Sequence, residues 1–247
     1  MIYFVTNTLI EKASNEYKLA SLNELELFLM DKTSINLDTE TNGLNFLEND
    51  MLSIQLGNHV DQYVIDVKNG IPKVVKDCIE SRTVLKYLAN AVFDYKFLLK
   101  YNIVMENVYD VLIADRLLYN GKKRWAKNSP NGYRFRLKDV MLRHLNIEMD
   151  KEAQSSFIGM THHEMTEEQV VYAAKDVEHL EQIAIKQRKY INLSNMDNVC
   201  QLEMDNVLVN GDLSFTGIKV DITKWLSNEK WMQELVTGYN LLYRSSI

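Results

Sequence analysis

The sequence is poor in the residues that staple and punctuate a chain. Two prolines, Pro72 and Pro130, and nine glycines in 247 residues leave no low-complexity linker and no visible internal repeat. Two cysteines, Cys78 and Cys200, cannot build a disulfide framework in a chain of this length, and neither sits in a C-x-x-C pair or beside histidines at zinc spacing. Both read as reduced thiols of an intracellular protein. Long hydrophobic runs are missing as well. The opening "MIYFVTNTLIEK" has no basic leader, Thr6 and Asn7 interrupt its apolar residues, and no stretch approaches the length of a membrane span. Nor is there a surplus of positive charge. Lys and Arg number 28 against 34 Asp and Glu, a net charge of −6, which argues against a protein that coats nucleic acid non-specifically. An acidic protein can still hold nucleic acid through a local basic patch and bound metal ions.

What is present is a core. With 46% hydrophobic residues the chain fills one large domain, or one domain with an appendage. After a short apolar strand at Ile2 to Val5, "SLNELELFL" pairs Ser21 with Glu24 in a capping-box pattern ahead of Leu22, Leu25, Phe28 and Leu29. A strand at about 34 to 40 follows. "MLSIQLGNHVDQYVIDV" alternates apolar and polar residues on both sides of Gly57-Asn58, the pattern of an antiparallel hairpin. Helices at about 72 to 81 and 92 to 101 then alternate with strands through "TVLKYLA" and near Val108, and "VLIADRLL" reads as a further helix. The fold class is α/β with a mixed sheet. One long helix is expected over about 166 to 190, with Val170, Ala173, Ala174, Val177, Leu180 and Ala184 as its apolar stripe. The alternation stops near residue 193, so a domain of residues 1–192 and a helical extension of 193–247 are expected.

Four acids stand out. In a strand, residues two apart share a face, so Asp38 and Glu40 project together with Asn36 beside them. Taken alone this is equally a solvated strand face. Tyr172 and Asp176 are four apart on the expected long helix, away from its main apolar stripe. Asp94 lies where a helix begins just after an apolar strand, a position that suits a capping acid as well as a ligand site. Together these carboxylates could hold two divalent ions, which would offset the repulsion between Asp38 and Glu40.

The ordered set "LDTETNGL", "NAVFDYKFL" and "YAAKDVEHL" resembles the three motifs of the DEDD 3′-5′ exonucleases, in the tyrosine branch that includes ribonuclease D and the proofreading domains of family A DNA polymerases. The branch rests on Tyr172, because the histidine branch carries its histidine where this chain has Val171. The resemblance spans roughly residues 30 to 190. It implies a ribonuclease-H-like mixed sheet flanked by helices and hydrolysis of a 3′-terminal phosphodiester assisted by two Mg²⁺ or Mn²⁺ ions. Asp38 would bridge both ions, Glu40 and Asp176 would bind the ion that carries the attacking water, and Asp94 would act through intervening water. Tyr172 would orient that water, with an ordinary phenolic pKa near 10 that suits a positioner. Leu44 would wedge between terminal bases, and Thr41 and Asn90 would contact the terminal nucleotide. "FRLKDVMLRHLNIEMDKEAQSSF" is similar to the segment between the second and third motifs, with Ser156-Phe157 where relatives often carry Asp-Trp after the serine.

From Arg116 to Lys138 the chain carries Lys122, Lys123, Arg124, Lys127, Arg134 and Arg136 with no intervening acid, interleaved with Trp125, Tyr133 and Phe135. This is either a surface on which single-stranded bases stack while cations meet phosphates, or a solvated loop. His162 and His163 match no zinc signature. The tail "LEMDNVLVNGDLSFTGIKVDITKW" resembles the helix-turn that opens the polymerase module of family A enzymes, which favours DNA as substrate. Nothing up to Ile247 resembles the palm carboxylate motifs, so no polymerase activity is expected of this chain. The expected partners are a single-stranded or frayed 3′ end of DNA and a polymerase module or other replication proteins, with no membrane. Two alternatives stand beside this one: a ribonuclease-D-like exoribonuclease, and a non-catalytic nucleic-acid-binding module.

Overall fold

The computed structural model describes residues 1–7, 14–119, 134–149, 156–160 and 164–245, the last of these as backbone alone from 238 onward. The strands are β1 (Ile2–Val5), β2 (Lys18–Leu19), β3 (Ser34–Thr41), β4 (Met51–Gly57), β5 (Gln62–Asp66), β6 (Leu85–Leu88) and β7 (Val108–Asp110). They form one sheet in the order β2-β1-β5-β4-β3-β6-β7. The β3-β4-β5 stretch is an antiparallel meander, whereas β3 pairs with β6 and β6 with β7 in parallel. The hairpin falls where the alternation placed it, and Asn58 Oδ1 closes its turn by accepting from the backbone of Val60 and Asp61.

Period-two alternation explains why β3 carries the site. Ile35 and Leu37 enter the main core with Phe97 and Leu98. The opposite face presents Ser34, Asn36, Asp38 and Glu40, four polar residues in phase. Between Glu40 and Thr41 the register with β4 slips: Glu40 faces Ser53, Thr41 faces Met51, and Leu52 is the extra residue. Such a bulge re-aims side chains at a sheet's rim.

Helices α1 (Leu22–Leu29), α2 (Lys73–Glu80), α3 (Ala91–Lys100) and α4 (Val111–Tyr119) follow the expected elements, and α1 opens on the Ser21/Glu24 capping box. α5 (Leu137–Leu145) follows, fastened to α4 by Asp115, which is fully buried and pairs with both Arg143 and His144.

The single long helix expected over 166 to 190 is instead two, α6 (Glu167–Asp176) and α7 (Leu180–Leu193). The apolar stripe crosses the break intact, because Val170, Ala173, Ala174, Val177, Leu180 and Ala184 are all buried. Periodicity therefore could not reveal it. A polar side chain from β3 enters at the break: Asn36 Nδ2 donates to the Val177 carbonyl at 2.5 Å and Asn36 Oδ1 accepts from the Glu181 amide at 3.0 Å. Insertion of a side chain into the i to i−4 ladder is a recognised origin of helix breaks.

The chain packs as two units, Met1–Phe215 and Thr216–Ile247. Within the first, α8 (Asp197–Thr216) buries Cys200, Met204 and Val207, and Gly211 comes so close to Tyr95 that a Cβ there would lie 2.3 Å from the ring. The second unit contains α9 (Ile222–Ser245). No helix among the described residues is long and apolar enough to cross a membrane.

Candidate active site

Three of the four carboxylates converge. Asp38 and Glu40 project from β3, and Asp176 is the last residue of α6; one oxygen from each lies within 4.8 Å of the others. Glu40 and Asp176 are each 8% exposed. Like charges that close repel strongly in a partly desolvated place.

Asp94 is not part of that group. It is buried, and its Oδ1 accepts from the Thr39 amide at 3.1 Å and from the Thr39 hydroxyl at 2.6 Å, so it grips β3 between the two site acids. Burial pushes its pKa up to about 7, the charge of Asp110 adds to the rise, and the Thr39 hydrogen bonds oppose it. Asp110, which sequence reasoning passed over, ties two elements: its Oδ2 accepts from the Ala91 amide, where α3 begins, and its Oδ1 from the Leu112 and Ile113 amides of α4. Its position at the end of an apolar strand was the one available signal.

Tyr172 sits one turn before Asp176, with its ring against Leu52 and Phe157. Its hydroxyl is buried beside the Asp176 carboxylate. Burial first, then the charges of Asp176, Glu40 and Asp38, drive the phenol's pKa well above its usual value. The ordinary value expected from sequence is thus corrected upward, and the hydroxyl keeps its proton. α6 is fixed by a capping box, and Gln169 also donates to the Ser156 carbonyl and hydroxyl, both at 3.1 Å. A cavity of about 290 Å³ opens beside Tyr172 and Asp176, bordered by Met141, Ile147, Met149 and Lys175.

The residues expected to meet a terminal nucleotide are placed as follows. Leu44 is 75% exposed on the loop after β3. Thr41 is buried, and its hydroxyl donates to the Gly43 carbonyl at 2.7 Å, shaping that loop. Asn90 is exposed just before α3 with φ 73°, a left-handed conformation that asparagine tolerates. Arg134 and Arg136 are exposed at the start of α5, and Arg136 forms a two-pronged pair with Asp139 at 2.8 and 3.2 Å. Lys122, Lys123, Arg124, Trp125, Lys127, Tyr133, His162 and His163 lie outside the described residues.

The donor set suits a hard divalent cation: three carboxylates meet, no thiolate or imidazole is among them, and a buried hydroxyl stands next to them. Comparison with known proteins agrees. A family profile described as 3′-5′ exonuclease, of the DNA polymerase A type, matches residues 15–192. The chain belongs to this 3′-5′ exonuclease family. It is a DEDD exonuclease of the tyrosine branch, a family that uses divalent metals.

Among curated proteins, DNA polymerase I of Aquifex aeolicus is 30% identical over 160 residues, which is 63% of this chain and 24% of the polymerase. The match thus spans about a quarter of that relative's length. Among solved structures, Brucella melitensis NrnC with bound Mg²⁺ superposes with a TM-score of 0.67 at 18% identity, covering 87% of this chain and 94% of that one. Escherichia coli RNase D, an exoribonuclease involved in structured RNA processing, gives 0.62 at 19% identity, covering 76% and 47%. These likenesses establish the ribonuclease-H-like exonuclease fold.

Proposed function

We propose that this exonuclease removes nucleotides from the single-stranded or frayed 3′ end of DNA, in a proofreading role, with two Mg²⁺ or Mn²⁺ ions at Asp38, Glu40 and Asp176 and with Asp94 acting behind them. The observation that carries this is the convergence of those three carboxylates beside the buried Tyr172 hydroxyl. When bound, the ions would supply an activated water on one side of the phosphorus and charge stabilisation for the leaving oxygen on the other. The chain's own groups do the rest. Tyr172, held protonated, can offer a hydrogen bond to the attacking water and fix its direction. Asp94 and Thr39 hold β3 so that its two acids keep their aim. In this reading the exposed Leu44 would wedge against the terminal base, Thr41 and Asn90 would contact the terminal nucleotide, and the basic residues Lys122, Lys123, Arg124, Arg134 and Arg136 would meet phosphates.

The choice of DNA rests on the polymerase-type family profile and on the resemblance of residues 202 to 225 to the start of a polymerase module. The same resemblance supports an exonuclease domain of 1–192, an extension of 193–247, and a polymerase module or other replication protein as partner. The fold likeness to RNase D favours a second reading, an exoribonuclease. DNA and RNA strands labelled at either end, digested with and without chelator, test both. Mononucleotides leaving the 3′ end of DNA faster than of RNA, abolished by chelator and by Asp38→Ala, support the proposal. Preference for RNA selects the second reading, and internal cuts or full activity in Asp38→Ala refute both.

A further inference from the structure

We propose that Asn36 is a positioning residue for the metal site. It rests on the reading of Asp38, Glu40 and Asp176 as cation ligands and reaches beyond it, to a group that touches neither ion nor nucleic acid. Asn36 is 1% exposed and lies on the same face of β3 as Asp38 and Glu40, one strand repeat before them. Its carboxamide is spliced between the Val177 carbonyl and the Glu181 amide, the pair that a continuous helix would join directly. One helical hydrogen bond is thereby exchanged for two to a side chain, and both polar atoms of a buried amide are satisfied.

The consequence falls on Asp176. α6 ends at that residue, Val177 leaves the helix with φ −101° and ψ −2°, and α7 restarts at Leu180. Just upstream, the Ser34 hydroxyl donates to Glu181 Oε1 at 3.0 Å, so β3 grips the first turn of α7 at two points. The strand that supplies two of the acids therefore also sets where the helix supplying the third must stop. Without the Asn36 amide, Val177 and Glu181 are free to pair with each other, the two helices can join, and the carboxylate of Asp176 turns away from Asp38 and Glu40. Partners that orient metal ligands in this way are typically worth about 10- to 100-fold in affinity.

The test is Mn²⁺ binding to the whole chain, followed by electron paramagnetic resonance of free Mn²⁺, alongside Tm and exonuclease kinetics on a DNA oligonucleotide. Asn36→Ala is expected to bind Mn²⁺ about 10-fold or more weakly and to need correspondingly more Mn²⁺ for half-maximal rate, with KM for DNA changed less than about 2-fold. A purely structural asparagine would lower Tm and leave Mn²⁺ affinity alone, and that result overturns the proposal. If Asn36→Ala does not fold, the isosteric Asn36→Asp decides on the same titration. It keeps an acceptor for Glu181 and loses the donor to Val177, so parental Mn²⁺ affinity in this variant is again contrary. Failure of both variants to fold likewise counts against a positioning role. Because Mn²⁺ binding is read without substrate, a parent that binds Mn²⁺ and cleaves nothing would remove the nuclease reading while leaving the Asn36 result legible.

Discussion

Leu52, the extra residue opposite the Glu40/Thr41 bulge, packs against the ring of Tyr172. Sheet irregularity and helix are thus in direct contact at the site, and the tyrosine's position depends on a leucine that is 1% exposed. Leu52→Ala should cost about 2–5 kcal/mol in urea unfolding, through lost burial and the cavity left behind. It should also lower kcat, because the ring above the cavity loses its support. Leu52→Met, which conserves volume, should retain most of both.

Tyr172→Phe removes one oxygen and leaves the ring against Leu52 and Phe157. The one polar group lost sits beside the Asp176 carboxylate, so stability should change by no more than about 1 kcal/mol. The rate of a single turnover should nonetheless fall by about 100-fold, the scale expected when a reacting group loses its orientation. Unchanged single-turnover rates would remove the hydroxyl from the mechanism.

At most helix-interior positions, replacing glycine by alanine gains about 1 kcal/mol. Gly211 should do the reverse. A Cβ there would sit 2.3 Å and 3.0 Å from two atoms of the Tyr95 ring, which is itself 2% exposed and has no room to yield. Overpacking costs about 1–3 kcal/mol and wins over propensity. Gly211→Ala should therefore lower Tm, at roughly 2–4 °C for each kcal/mol lost, and a scanning calorimeter can read the sign.

Lys86 is fully buried on β6, its Nζ donating to the Ser81 carbonyl at 2.6 Å, and burial lowers its pKa from 10.5 to about 8, against opposing pulls from Cys78 and Glu106. Below about 8 both folded and unfolded chains hold the proton; between about 8 and 10.5 only the unfolded chain does. Unfolding then takes up a proton, so this group makes stability rise with pH across that window. Denaturation of the parent and of Lys86→Met at a series of pH values should show the increment in the parent alone.

Much of the site was legible because it follows strict periods. Asp38 and Glu40 share a face through the two-residue repeat of β3, and Ser21 with Glu24 announces the start of α1. The break after Asp176 was illegible, since the group that enters there, Asn36, lies 141 residues away from Val177 in sequence. Asp94 illustrates the same limit: its place next to a strand end was readable, its grip on Thr39 was not. The phenol of Tyr172 departs from its ordinary acidity because three acids and a layer of apolar side chains surround it, an environment assembled only by folding.

That α6 terminates on Asp176 has an electrostatic corollary. The carbonyl end of a helix carries about half a negative charge, and here it adds to three carboxylates at one spot. A nucleic-acid phosphate approaching the bare pocket would be turned back by a field of its own sign. Divalent cations held by these carboxylates would reverse the sign of the charge that an incoming phosphate meets.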